Sequence, residues 1–288
     1  MAGRQDLIHR INACYKGMSK GQKLISEYII NNYDKAAFMT ASKLGGNVGV
    51  SESTVVRFAN MLGYEGYPKL QKALQELIRT KLTTVQRIEM SSELDQGMIL
   101  KNVLKADMNN IRKTIEEASN EVFNYVVDSI LKAKNIYVMG LRSSAPLAQF
   151  MGYYLSFIFS NVRIVTSGVN DVFEQLIHIS NKDLLIGISF PRYATRTIEA
   201  MAFAKERKAT TVALTDGLIS PLTPHSDYIL QARSDVASFV DSLVAPLSLI
   251  NALIVGVGMK KSPHLASDFL ELEQMWGKYN VYVGRDKS

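Results

Sequence analysis

Apolar residues recur three and four positions apart through the first 90 residues: Leu24, Ile25, Tyr28 and Ile29, then Leu44, Val48, Val55, Phe58 and Leu62. That period predicts amphipathic helices around a small core, with no strand among them. The texture continues over 91–134 through Ile99, Val103, Met108, Ile111, Ile115, Val122, Val126 and Ile130, which predicts a helical linker that helps to pair subunits. From Asn135 the pattern changes to short β-rich runs alternating with amphipathic stretches. Strands are expected over 136–139, 163–165, 184–188, 211–214 and 228–230, and helices over 146–159, 172–179, 195–208 and 240–257. Ser262 and Pro263 suit the cap and first turn of a last, separate helix ending near Trp276. The predicted architecture is an all-α domain over 1–90, a linker over 91–134, and an α/β domain over 135–288. The α/β domain is a doubly wound, parallel, five-stranded sheet with helices on both faces.

Charge divides along the same boundary. Residues 1–90 hold 13 Lys and Arg against 7 Asp and Glu, whereas 91–288 hold 20 of each. The whole excess of +6 therefore sits in the first third. A basic module beside a neutral one suggests that a polyanion meets only the first, although six charges also serve as a solubility margin. The single cysteine, Cys14, allows no intrachain disulfide and no cysteine-based zinc site, so the reducing cytoplasm is the expected compartment. The first ten residues lack the apolar run of a secretory signal. The most apolar stretch, 242–258, contains Pro246 and Asn251 and is shorter than the ~20 residues of a membrane span, so it reads as a buried helix.

The segment 41–60, ASKLGGNVGVSESTVVRFAN, carries the spacing of a helix-turn-helix. Two helices that cross closely need a very small residue at the contact, and Gly45 is placed there. Four residues on, the turn needs a positive φ, which Gly49 adopts freely. Leu44, Val48, Val50, Val55 and Phe58 then face a core, and Ser51 is a natural N-cap. Ser51, Glu52, Ser53, Thr54 and Arg57 are left on the end that enters a major groove, with Lys43, Lys69 and Lys72 available to phosphates. The bland alternative is a helical hairpin with a glycine turn.

Residues MSKGQKLISEYIINN, FMTASKL and GVSESTVVRFANMLGYEGYPKLQKAL resemble the N-terminal domain of the RpiR family of bacterial transcriptional regulators. Where that family often carries alanines after the position of Leu44, this chain has Gly45-Gly46, which weakens the expected helix. The resemblance implies a double-stranded DNA operator as partner and a homodimer or homotetramer as the working state.

Two loops of the second domain carry candidate chemistry. The first strand runs into Gly140, Arg142, Ser143 and Ser144 before a helix, and the third into Ser189, Arg192, Tyr193, Thr195 and Thr197 before another. Strand-loop-helix turns aim backbone N–H groups and a positive helix end at one space, and two of them on one rim predict an anion site. Such turns also carry Gly and Ser for geometry alone. The stretch from about Asn135 to Gly256, with Thr215-Asp216-Gly217, Ser220-Pro221-Leu222 and Ser238-Phe239, resembles the sugar isomerase (SIS) domain that RpiR-family proteins carry. The resemblance implies phosphosugar binding, with Ser143, Ser144, Ser189 and Thr197 on the phosphate and Ser238 at the site. Where many SIS domains read Ser-x-Ser-Gly-x-Thr in the second loop, this chain reads Ser189-Phe190-Pro191-Arg192-Tyr193, so a hydroxyl and the glycine are lost and an arginine arrives. Arg192 pairs with phosphate or carboxylate equally well, or makes a structural ion pair.

An isomerase needs a general base beside the sugar. Glu199, His178, His225, Glu271 and Glu273 are available, but none stands in a spacing that marks a catalytic pair, and no cluster marks a metal or cofactor. The expectation is therefore a regulator without enzymatic activity, metal or membrane attachment, whose DNA affinity follows an anionic effector. The alternative is a sugar-phosphate isomerase with an appended helical module.

Overall fold

A computed structural model of the chain describes residues 7, 10, 11, 14–81, 96–218, 220–235 and 240–283. It divides into two compact units, Met1–Glu93 and Leu94–Ser288.

In the first unit, α1 (Lys20–Asn31) starts in a reciprocal capping box between Ser19 and Gln22. A single turn, α2 (Tyr33–Ala36), leads to α3 (Ala41–Val48), α4 (Glu52–Met61) and α5 (Tyr67–Lys81). Ile11, Ile25, Ile29, Leu44, Val55, Phe58, Leu70 and Leu74 are fully buried in one core. Each contributes about 1.5–3 kcal/mol of transfer free energy. Leu24, which shares the apolar spacing, is 41% exposed, and Val48 and Val50 are only half-buried. Tyr67 ties α5 to the core through a hydrogen bond from its hydroxyl to Met39 O (2.8 Å), and burial pushes its pKa up to about 12.

The second unit is built on five parallel strands, β1 (Ile136–Gly140), β2 (Val162–Val165), β3 (Leu184–Ile188), β4 (Thr210–Thr215) and β5 (Tyr228–Gln231), in the order β2-β1-β3-β4-β5. Alternation sends Ile136, Val138, Leu184, Ile186, Val212 and Leu214 to one face and Tyr137, Met139, Leu185 and Ala213 to the other. On the first face pack α7 (Asn120–Lys132), α8 (Ala145–Ile158) and α11 (Val244–Lys278); on the second pack α9 (Val172–Gln175) and α10 (Thr195–Glu206). Both faces are covered, so β1 and β3 read as unbroken apolar runs.

The strand ends away from the loops of interest are stitched by carboxylates. Asp183 accepts from Ser180 N (2.8 Å), Ser180 Oγ (2.7 Å) and Asn135 Nδ2 (2.7 Å). Burial pushes its pKa up, and the bonds from Ser180 and Asn135 overrule that and hold it below the ordinary value.

Three expectations need correction. The stretch 91–134 is more than a connector: α6 (Ile99–Glu117) and α7 lie in the second unit, where Val126, Val127 and Ile130 are core residues. The helix expected over 172–179 stops at Gln175, and Leu176 and Ile179 are buried in the turn that follows. The two C-terminal helices are one, because α11 runs on past Pro263. Beyond the proline, Phe269 and Trp276 meet Phe157 of α8 edge-to-face with ring centroids 6.4 and 5.9 Å away, which offsets the lost backbone bond. Within α11 the window Val244–Lys261 is long and apolar enough to cross a membrane by length and composition, but Ile250, Leu253 and Val257 are fully buried against the sheet.

Candidate functional site

Helix α3 begins where the Thr40 hydroxyl accepts from Lys43 N (3.2 Å) and ends at Gly49, with φ of 77°. A Cβ on Gly45 would sit 2.7 Å from Val50 O, so the turn can return over α3 only because that position is bare. Val50 N closes the turn on Gly45 O (2.9 Å). Gly46, by contrast, would meet nothing within 4 Å.

Helix α4 opens at Ser51, whose hydroxyl accepts from Thr54 N (3.3 Å) and lies 2.9 Å from both Ser53 Oγ and Thr54 Oγ1. Arg57 lies back along the helix, its Nε donating to Ser53 O (3.2 Å) and Nη2 to Ser53 Oγ (3.3 Å). Ser51, Glu52, Ser53 and Arg57 are exposed, as are Lys43, Lys69 and Lys72, while Thr54 is half-buried. The structure thus gathers hydroxyls and a guanidinium on one open helix end. Gly21 of α1 approaches this end, since a Cβ there would lie 3.2 Å from Val50 and 3.4 Å from Thr54. Lys20, which precedes Gly21 at the capped start of α1, is exposed.

In the second unit the chain leaves β1 toward β2 on one side, and β3 on the other side continues to β4. Strands β1 and β3 are neighbours, with Gly140 opposite Ile188, so the loops after them flank the point where strand order reverses. Parallel sheets take ligands in that crevice. A Cβ on Gly140 would lie 2.4 Å from Ser144 O, so the first loop folds tightly over a bare strand end. Arg142 and Arg192 are exposed and hold left-handed backbone, φ 56° and 66°. Ser143 is exposed and Ser144 is buried. In the second loop the Ser189 hydroxyl accepts from Ala194 N (3.3 Å), and the Tyr193 hydroxyl donates to Asp216 Oδ1 at the end of β4. Thr195 is exposed at the start of α10. Thr197, in the first turn, is fully buried, and its hydroxyl has no hydrogen-bond partner among the described residues. An unsatisfied buried hydroxyl costs about 1–3 kcal/mol, so its presence under the rim calls for a reason. Ser238 lies outside the described residues.

The possible acid-base residues are scattered. Glu199 is exposed and bound by Arg196 (3.2 Å), which also reaches Asp171 (3.9 Å). His178, Glu271 and Glu273 are exposed, and His225 sits in a short turn, Thr223–His225, before β5. Among the described residues no cluster of His, Cys, Asp and Glu could hold a metal.

Residues 5–81 match the helix-turn-helix domain of the rpiR family, and residues 129–256 match the SIS domain. An uncharacterized HTH-type transcriptional regulator of Haemophilus influenzae is 28% identical over 234 residues, 80% of this chain and 81% of that one. The sugar isomerase domain of an RpiR transcription factor from Sphaerobacter thermophilus superposes with a TM-score of 0.59 at 26% identity, covering 62% of this chain and 99% of that one. The Vibrio vulnificus NanR protein, complexed with ManNAc-6P, shares the fold with a TM-score of 0.59 at 21% identity, covering 96% and 100%.

Proposed function

We propose, for a chain that belongs to the RpiR family of helix-turn-helix transcriptional regulators, that it binds a duplex operator through α4 and adjusts that binding to a phosphosugar held at the β1/β3 rim. The chain is a regulator and not an enzyme. The observation that carries the reading is the open N-terminal end of α4, where Ser51, Ser53 and Arg57 stand exposed above a fully buried Val55 and Phe58.

In this reading Ser51, Glu52, Ser53, Thr54 and Arg57 enter the major groove, and Lys43 and Lys69 fix the register on phosphates. Two copies would present their α4 helices to half-sites about 34–36 Å apart. At the rim, Gly140, Arg142, Ser143, Ser144, Ser189, Arg192, Tyr193, Thr195 and Thr197 surround an anion. Support comes from the reversal of strand order there, the unpaired Thr197 hydroxyl and the two arginines, and from a neighbour of the same fold that carries ManNAc-6P. An effector alters operator affinity only if it binds the two arrangements of the protein unequally.

Titration of the full chain onto DNA flanking its own gene tests both halves. Binding that weakens steeply with salt, and shifts when a phosphosugar panel is added, is the expected result. Duplex binding indifferent to Arg57→Ala would remove the first half, and operator affinity unmoved by every phosphosugar would remove the second.

A further inference from the structure

Neither site accounts for the buried polar residues of α6. Asn110 is fully buried, yet its amide satisfies both backbone groups of Asp235: Nδ2 donates to Asp235 O (2.9 Å), and Asp235 N donates to Oδ1 (3.2 Å). Lys113 Nζ lies 3.1 Å from Asp235 Oδ2. One turn on, the Thr114 hydroxyl accepts from Arg233 N (2.9 Å) and donates to Asn110 O (2.8 Å). A further turn brings Glu117, which takes the Arg233 guanidinium in a fork, with Nε to Oε2 at 2.6 Å and Nη2 to Oε1. At the other end of the stripe Asp107 accepts from Ser242 Oγ (2.6 Å). Residues 107, 110, 114 and 117 therefore form one polar face, three to four residues apart, that grips the chain leaving β5.

That chain is also tied to the rim. Ala232 N donates to Thr215 O (2.9 Å), which continues the β4–β5 ladder to the edge of the sheet. Asp216 accepts from Thr215 Oγ1 (3.3 Å), so its carboxylate sits at the strand end whose carbonyl holds Ala232, the neighbour of Arg233. Burial pulls the pKa of Arg233 down, and Glu117, then Asp235 and Asp216, hold it above the ordinary value. Asp216 in turn accepts the hydroxyl of Tyr193 in the second rim loop. A route of hydrogen bonds thus runs from Tyr193 to Asp216 and Thr215, across the ladder to Ala232, and from the adjacent Arg233 to Glu117 and Thr114.

We propose that Arg233 is a positioning residue that carries occupancy of the rim to α6, the first described α-helix to follow the DNA-binding unit along the chain. The proposal deepens the effector reading and rests on it. An anion settling beside Tyr193 and Arg192 places negative charge next to Asp216 and competes for the tyrosine hydroxyl. A shift of Asp216 is passed to Thr215 and to the strand end that holds Ala232, and so to the grip of the adjacent Arg233 on Glu117. Because Arg233 N also caps Thr114, a shift of the arginine is felt along the stripe. Arginine suits the role because its planar fork takes both oxygens of Glu117 at once, a geometry that a lysine ammonium does not match.

Amide hydrogen exchange on the full-length chain tests this without knowledge of the natural ligand. Asp216→Asn removes the rim-side charge and should change exchange over 107–117 by about tenfold while α10 amides keep their rates. Asp227→Asn, which disturbs the opposite end of β4 and β5, should leave 107–117 alone. Arg233→Lys should fall between wild type and Arg233→Gln. Rates over 107–117 that ignore Asp216→Asn, or that follow Asp227→Asn equally, would overturn the proposal. With ribose 5-phosphate as probe, protection of 141–144 and 189–197 reports occupancy and a change over 107–117 reports transmission. Occupancy without a change in α6 also overturns the proposal; a failure of the probe to protect the rim counts against the phosphosugar reading instead, and the variant comparison then decides this one.

Discussion

The turn between α3 and α4 and the loops after β1 and β3 both require left-handed backbone, and they obtain it from opposite kinds of residue. In the first unit, among the described residues, every positive φ belongs to a glycine: Gly49, Gly63 and Gly66. In the second unit the positions are Arg142, Arg192, Lys208 and Asn280, two of them at the rim. A side chain in that conformation costs roughly 1 kcal/mol or more, which glycine avoids. The turn needs only a shape, so the side chain is dispensed with. At the rim an arginine is kept despite the strain, which the proposed anion site would explain. On that reading the strained backbone at the rim serves ligand binding, while glycine in the turn serves architecture.

The contrast breaks most visibly at Gly45. Alanine in a helix ordinarily gains about 0.5–1 kcal/mol over glycine, but here its Cβ would strike Val50 O, so Gly45→Ala should lose about 2–3 kcal/mol in a denaturant melt of the first unit. Next in size, Arg57→Ala should lower operator affinity ten- to hundredfold, about 1–3 kcal/mol, with the melting curve unmoved. A loss spread evenly over all DNA sequences, with a shallower salt dependence, would reassign Arg57 to phosphate. At the rim, Arg192→Gly should weaken phosphosugar binding about tenfold in calorimetry, with stability altered by less than about 1 kcal/mol, since relief of strain offsets glycine's entropy. If binding instead improves, the arginine is architectural and the contrast fails. Gly46→Ala, whose Cβ meets open space, should stabilise α3 by about 0.5–1 kcal/mol and serves as the control for its neighbour.

The smallest effect concerns acid. Asp183 has a folded pKa below its unfolded one, so its contribution is complete above the unfolded value and is lost as pH falls through the folded value. Acid unfolding curves below about pH 4 should flatten in Asp183→Asn, while neutral-pH ligand binding at the far rim stays as it was.

Much of this was legible in the sequence where one residue type has one physical use. Gly45, Gly49 and Ser51 announced the turn because bare contact, positive φ and capping each admit few alternatives. The five strands were readable because doubly covered β1 and β3 are apolar without interruption. The extent of α11 was not, because Pro263 is a sound reason to end a helix, and the packing of Phe269 and Trp276 that carries it onward is made in three dimensions. Nor was the attachment of α6: Asn110 and Thr114 look like solvent-facing positions until Arg233 and Asp235 arrive from more than a hundred residues away. The rim fell between these cases. Its hydroxyls were visible, but the conformation of Arg142 and Arg192 is invisible in their identity.

The membership of α6 and α7 in the second unit sets where this protein can be recombined with its relatives. A swap of α/β units at Asn135 would leave Val126, Val127 and Ile130 behind and strip the sheet of the wall they form. A hybrid joined near Leu94 would carry that wall, and the grip of Asn110 on Asp235, along with the sheet it belongs to.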